Sequence, residues 1–198
     1  MAKKIVIEES NKEIILKAAT ELFSKNGYDK TSIRDITKKA EVSIGTLYFY
    51  FENKKDILKE VFMRLKPVFS NLHNEYNDKL SFVEYFRVLG KSMINFCVSN
   101  LGFNMLLLNE GMKDHELGDF FYEQFKTEID VISRKLSEYS DRENLRKVDH
   151  EKMAINLISS TLSLAIFNGV FKDNLGGSFL DEMLENLIDV NIKGLIQK

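Results

Sequence analysis

The chain has 198 residues, 44% apolar and 29% charged, with a formal charge of −2. That excludes a disordered or extremely charged chain and suffices for one ordinary domain plus a smaller one sharing its core. A single cysteine, Cys97, excludes an internal disulfide, and one proline with no tryptophan favours helix over a turn-rich sheet.

In chain order, Ser10-Asn11-Lys12-Glu13 fits a capping box, and Ile14, Ile15, Ala18, Ala19, Leu22 and Phe23 then recur at helical spacing. Asn26-Gly27 predicts the end of that helix, with Gly27 in the left-handed position. Thr31-Ser32 begins a short helix through Ala40 that presents Ile33, Ile36 and Ala40 to one side. Glu41-Val42 makes a tight turn, and Ser43 caps a third helix through about Phe51, with Leu47 and Phe51 facing inward. Asn53-Lys54-Lys55-Asp56 opens a longer helix through Ile57, Leu58, Val61, Phe62 and Leu65, with a kink or break expected at Pro67. Further helices are predicted over residues 81–100, 103–111, 116–140, 149–173 and 178–196, starting at Ser81, Asp149 and Ser178. Their breaks are placed at Gly102, Gly111, Ser140-Asp141 and Gly176-Gly177. The expectation is therefore all-α, with about nine helices. No signal peptide and no apolar run near the ~18 residues of a membrane span is read, so the protein is expected in the cytoplasm, with no membrane partner.

Charge is uneven along this series. Residues 1–66 carry 14 Lys and Arg against 10 Asp and Glu, a formal +4, while residues 67–198 carry 14 against 20, a formal −6. A basic front on an acidic body suggests that the front meets a polyanion. Three short helices, the second and third joined by a tight turn, form a helix-turn-helix, whose third helix needs one anchored side and one side free for the major groove.

These residues resemble the tetracycline-repressor (TetR) family of bacterial regulators. The likeness runs through Ala18-Ala19, Leu22-Phe23, Gly27-Tyr28, Thr31-Ser32-Ile33, Ile36, Ala40, Val42-Ser43, Gly45-Thr46-Leu47-Tyr48, Tyr50-Phe51 and Lys54, dense over about residues 10–62. It implies a helix-turn-helix domain over 1–51 and a ligand-binding and dimerisation domain over 52–198, with helix 53–66 connecting them. It also implies DNA contacts from Thr31, Ser32, Arg34, Ser43, Ile44, Gly45, Thr46, Tyr48, Tyr50 and Lys54. Thr31 and Ser43 are equally ordinary helix caps, and Tyr48 could be packing. Ile44 stands where the family often has a polar residue, which removes a hydrogen-bonded base contact and leaves packing on a thymine methyl or no role.

The last two predicted helices are apolar on several sides and must be covered all round. By resemblance they form the homodimer face, through Leu157, Leu164, Phe171, Leu180, Leu184, Leu187 and Ile188, although intrachain core is the plainer alternative. The middle helices are rich in aromatic and methionine side chains, which suit a ligand cavity as well as a core. By resemblance a lipophilic effector pocket draws on Phe62, Phe69, Phe86, Met93, Phe96, Phe103, Met105, Leu106, Phe121, Phe125, Leu162 and Phe167. His73, His115 and His150 share no metal-ligand spacing, and no metal site, cofactor or catalytic motif is read. The expected protein is a sequence-specific DNA-binding regulator, not an enzyme. It pairs over a pseudo-palindromic operator and acts as a repressor released by a lipophilic small molecule. The alternative is a regulator without such an effector, controlled by a protein partner or acting as an activator.

Overall fold

The computed structural model describes residues 2–65, 80–143 and 145–196. Pro67, Phe69 and His73 lie outside them, so the expected kink and one of the expected pocket residues do too. Among the described residues there are nine α-helices and no strand longer than an isolated bridge. They are α1 (Ala2–Asn26), α2 (Ile33–Ala40), α3 (Ile44–Tyr50), α4 (Lys54–Leu65), α5 (Phe82–Ser99), α6 (Leu101–Lys113), α7 (His115–Glu143), α8 (His150–Phe171) and α9 (Phe179–Leu187). The fold class is thus all-α, as the periodicity indicates.

Contacts divide the chain into two compact units, Met1–Lys66 with Gly102–Phe121, and Pro67–Leu101 with Tyr122–Lys198. In the first unit α1 packs on α2, α3 and α4. Its core holds Ile15, Ala19, Phe23, Ile36, Leu47, Ile57, Leu58, Val61 and Phe62, all buried. Lys12 pairs with Glu60 at 2.8 Å and Arg64 with Glu13 at 2.6 Å, holding α4 along α1. Gly27 sits at φ +84° and closes α1 through a hydrogen bond from its N–H to the Phe23 carbonyl. The start of α1 departs from expectation. The helix runs unbroken from Ala2, so Ser10 lies inside it, because residues 2–9 are helix-forming types with no breaker.

Two glycines read as breakers lie inside a helix instead. Gly102 and Gly111 both lie within α6, and the break falls at Asp114. A Cβ on Gly118 would meet the Gly111 carbonyl oxygen at 2.9 Å, so the α6–α7 hairpin is this tight because Gly118 has no side chain. Asp114 caps α7 by accepting from the Glu116 and Leu117 N–H groups. The hairpin is pinned to α4 by Lys55 with Asp114 (2.7 Å) and Glu116 (2.8 Å), and by Lys59 with Glu116 (2.6 Å).

The second unit packs α5 chiefly on α8, with α9 against both. Its core contains Phe82, Tyr85, Phe86, Leu89, Met93, Ile132, Leu136, Tyr139, Ala154, Leu157, Leu184, Leu187, Ile188 and Ile192. Ser81 opens α5 with a full capping box to Glu84, and Asp149 caps α8 through the Lys152 N–H. Ser178 precedes α9 but makes no capping bond, its hydroxyl meeting Glu182 instead. Helix α7 continues through Ser140-Asp141 to Glu143, and residues after α9 wind into a π turn (Ile188–Ile192) and a 3-10 turn (Lys193–Leu195). Leu145 bridges Ile196, tying the chain's end to the α7–α8 connection. Cys97 is half-buried, with burial pushing its thiol up to about 11.

Candidate nucleic-acid interface

Helix α2 begins at Ser32, whose hydroxyl accepts from the Asp35 N–H while the Asp35 carboxylate accepts from the Ser32 N–H at 2.9 Å. The Ser32 hydroxyl also donates to that carboxylate at 2.6 Å, and this bond, with the one from the Ser32 N–H, holds Asp35 below the ordinary carboxylate range. The helix ends at Glu41 in the left-handed region (φ 55°, ψ 37°), and the Val42 N–H returns to the Thr37 carbonyl. Ser43 then starts α3 by accepting from the Thr46 N–H at 2.9 Å. Leu47 (0% exposed) and the following Phe51 (5%) anchor α3 to the core.

The opposite side of α3 is open. Ile44, Tyr48 and Phe49 are 43%, 53% and 69% exposed, and Ser43 and Gly45 are exposed beside them. Thr46 and Tyr50 are half-buried at the margins, Thr46 bonded to the Ser43 hydroxyl at 2.8 Å and Tyr50 edge-on to Phe49. On α2, Ser32 and Arg34 are exposed, as is Lys38, while Lys39 pairs with Glu21 at 2.7 Å. Eight of the ten expected contact residues therefore reach the surface or its margin in one short stretch. Sequence reading missed Phe49, although its spacing of two from the buried Leu47 and four from Gly45 marks it as outward.

Two expected contacts have internal partners. Thr31 is fully buried, its hydroxyl donating to the Gly27 carbonyl at 2.8 Å with the Leu22 carbonyl at 3.3 Å. It is not the cap of α2, which is Ser32. Lys54 donates to the carbonyls of Tyr28 (2.7 Å) and Thr31 (3.0 Å), and its ammonium sits 4.1 Å from the Tyr28 ring centroid. Burial holds its pKa below the ordinary lysine value and pushes the Tyr28 hydroxyl up to about 12, with Glu110 adding to the latter. The ammonium staples the start of α4 to the α1–α2 loop, adding a charged donor to the Thr31 carbonyl and to the Tyr28 carbonyl, which also accepts from the Thr31 N–H at 3.2 Å.

The expected pocket residues separate. Phe62, Phe103, Leu106 and Phe121 are core of the first unit, with Phe62 and Phe121 rings 5.0 Å apart, and Met105 is exposed on it. In the second unit Phe86 and Met93 are core, Phe96, Phe125 and Leu162 are half-buried, and Phe167 is exposed.

Of the expected dimer residues, Leu157, Leu184, Leu187 and Ile188 are buried in the chain's own core, with Leu164 and Leu180 packed against it. Core packing occupies them, and only Phe171 is exposed. The outer side of α8 is nonetheless apolar, with Ile155, Phe167, Val170 and Phe171 all exposed. Residues 153–171 carry no charged side chain, and the helix is long and apolar enough to cross a membrane, with only 22% of its most apolar window buried. That corrects the expectation that no such run exists. Between α8 and the α9 region lies a groove of about 580 Å³, lined by Ser160, Ser163, Leu164, Phe167, Phe179, Met183, Asn186, Leu187, Val190 and Asn191.

Capped short helices joined by a left-handed turn, the second anchored on one side and open on the other, define a helix-turn-helix DNA-binding protein. Residues 15–61 match the family model described as bacterial regulatory proteins, tetR family. The chain is 27% identical over 135 residues to an HTH-type transcriptional regulator of Staphylococcus aureus (strain bovine RF122 / ET3-1), covering 63% of this chain and 72% of that one. Over its length it resembles the solved Bacillus subtilis regulator FadR in complex with stearoyl-CoA (TM-score 0.77, 19% identity, 92% of this chain and 98% of that one). It also resembles Salmonella enterica GusR (0.76, 19%, 93% and 96%) and the fatty acid degradation regulator FadR of Bacillus halodurans (0.74, 20%, 94% and 97%). Residues 15–61 thus carry a helix-turn-helix of the tetR type, and the chain is a DNA-binding transcriptional regulator of that type.

Proposed function

We propose that this regulator is a cytoplasmic repressor that binds a pseudo-palindromic operator as a homodimer and is released by a lipophilic effector. The observation that carries the reading is the outward side of α3, held open by the buried Leu47 and Phe51 beside the exposed Arg34 of α2. Functionally, residues 1–51 read DNA and residues 52–198 pair and sense. One helix-turn-helix touches few base pairs, so two-fold pairing doubles the recognised length.

The partner suited to α8 is a second copy of the chain. A membrane would leave Asn156, Ser159, Ser160, Ser163 and Asn168 in hydrocarbon, whereas a helix–helix interface tolerates small and amide side chains. The exposed Ile155, Phe167, Val170 and Val190 form the apolar centre of that interface, in place of the buried leucines. The stearoyl-CoA complex of the Bacillus subtilis neighbour supports an acyl chain as the effector class. Release requires that the effector prefer the non-binding shape, with a coupling of about 1–3 kcal/mol.

The test is fluorescence anisotropy with footprinting on fragments of the host chromosome, with and without long-chain acyl-CoA. The expected result is a protected two-fold site and at least a fivefold loss of affinity with acyl-CoA. Affinity equal with and without every acyl-CoA, at saturating concentration, refutes the effector. Absence of any protected site refutes the operator.

A further inference from the structure

We propose that α3 reads thymine through its C5-methyl group, with Ile44 and Tyr48 making the contacts and Gly45 admitting the duplex. This rests on the DNA-reading function and names what that surface recognises.

The outward side of α3 offers carbon surface and hydroxyls but no charged or amide group. Ile44 and Tyr48 are four residues apart and share a face, and both are about half exposed. Residues 43–50 contain no Arg, Lys, Asn, Gln, Asp or Glu. The bidentate pairings that recognise guanine and adenine, and the acid that accepts from cytosine, are therefore unavailable from this helix. The hydroxyls of Ser43 and Thr46 are bonded to each other at 2.8 Å, which leaves one hydroxyl hydrogen for the two.

The major groove offers one apolar feature, the thymine methyl. An apolar side chain pressed on a G·C edge leaves base donors and acceptors dehydrated and unpaired, whereas on a thymine methyl it buries carbon against carbon. The same surface thus favours thymine and disfavours G·C. Positive charge lies on α2 instead, where Arg34 and Lys38 are exposed and complement phosphates.

Gly45 supplies an independent observation. A Cβ there would meet only the Ser43 hydroxyl, at 3.7 Å, an ordinary contact. Its backbone is helical and its φ is not positive. Alanine would fit the fold and favour the helix, so nothing inside the chain calls for glycine. A duplex lying against α3 would supply the reason.

The experiment uses the full chain. Binding sites are selected from a random duplex pool, and each thymine of the winning duplex is then replaced singly by deoxyuracil, which lacks only the methyl. Anisotropy at fixed salt should show about a fourfold loss of affinity at particular thymines in each half-site, the value for one buried methyl. Those losses should vanish in Ile44→Ala or Tyr48→Ala, whose positions are exposed and whose melting temperatures should hold. Gly45→Ala should melt no lower than the parent yet bind about tenfold more weakly, the overpacking cost of one methyl group. Winning duplexes insensitive to uracil at every position, or losses that persist unchanged in both alanine variants, overturn the proposal while leaving DNA binding intact. Failure to enrich any duplex overturns the DNA-reading function as well.

Discussion

Replacing Lys54 by methionine separates a structural lysine from a phosphate ligand. The ammonium donates to two backbone carbonyls at 2.7 and 3.0 Å and lies 4.1 Å from the Tyr28 ring centroid. A hydrogen bond to a charged group contributes about 1.5–3 kcal/mol and a partly exposed cation–π contact about 0.5–1 kcal/mol. Against these stands the cost of dehydrating the ammonium, visible in a pKa held below its ordinary value by burial. Methionine keeps the apolar stem but removes the charged donor from both carbonyls, leaving that of Tyr28 only the Thr31 N–H at 3.2 Å. The net loss is about 2 kcal/mol, which moves a urea midpoint down by about 1 M at a slope of about 2 kcal/mol/M. DNA binding, measured well below that midpoint, should keep its salt dependence. Arg34→Ala should do the reverse, with an unchanged midpoint and a salt slope smaller by about 1. If Lys54→Met leaves the midpoint unchanged and flattens the salt slope instead, the staple assignment is wrong and Lys54 is a phosphate ligand.

Glu41 occupies the left-handed region at φ 55°, where a side chain costs roughly 1 kcal/mol, so Glu41→Gly should raise the urea midpoint. A lowered midpoint would show that the carboxylate has a role there. Val190→Glu places a charge on a 67% exposed position beside the α8 groove and should convert dimer to monomer in light scattering with helix content unchanged; a persistent dimer refutes the proposed interface. Asp29, Asp114 and Glu116 are held below the ordinary carboxylate values, Asp29 by the Lys113 hydrogen bond, Asp114 by that of Lys55, and Glu116 by those of Lys55 and Lys59. Groups with depressed pKa contribute stability that is complete above their unfolded values and lost as pH falls through the folded ones. Thermal stability should thus decline below about pH 4.5, and Lys55→Met should shallow that decline. An identical acid profile in the variant would refute the assignment.

Most of the reading head was legible along the chain because it is built from local interactions. Ser32, Ser43, Asn53, Ser81 and Asp149 each act within three residues, and Gly27 and the Glu41-Val42 turn act within about five. Leu47 and Phe51 declare themselves by spacing. Ser178 shows the limit of that reasoning, since its side chain has the capping pattern but bonds Glu182 instead. Lys54 was misplaced because its partners, the carbonyls of Tyr28 and Thr31, are more than twenty residues away. Gly102 and Gly111 lie inside α6 and mislead in a similar way, since a glycine that ends a helix and one that a helix tolerates look alike in local sequence.

The order of residues alone determined the all-helical class, the caps at Ser32, Ser43, Ser81 and Asp149, and the anchored and open sides of α3, because backbone hydrogen bonding and side-chain periodicity are properties of short stretches. Tertiary packing decided which apolar faces are used up. Leu157, Leu184, Leu187 and Ile188 look no different in sequence from Ile155, Phe167 and Val190, yet the first group is enclosed by the chain and the second stands at its surface. Burial depends on what another helix brings alongside, and no single segment carries that information.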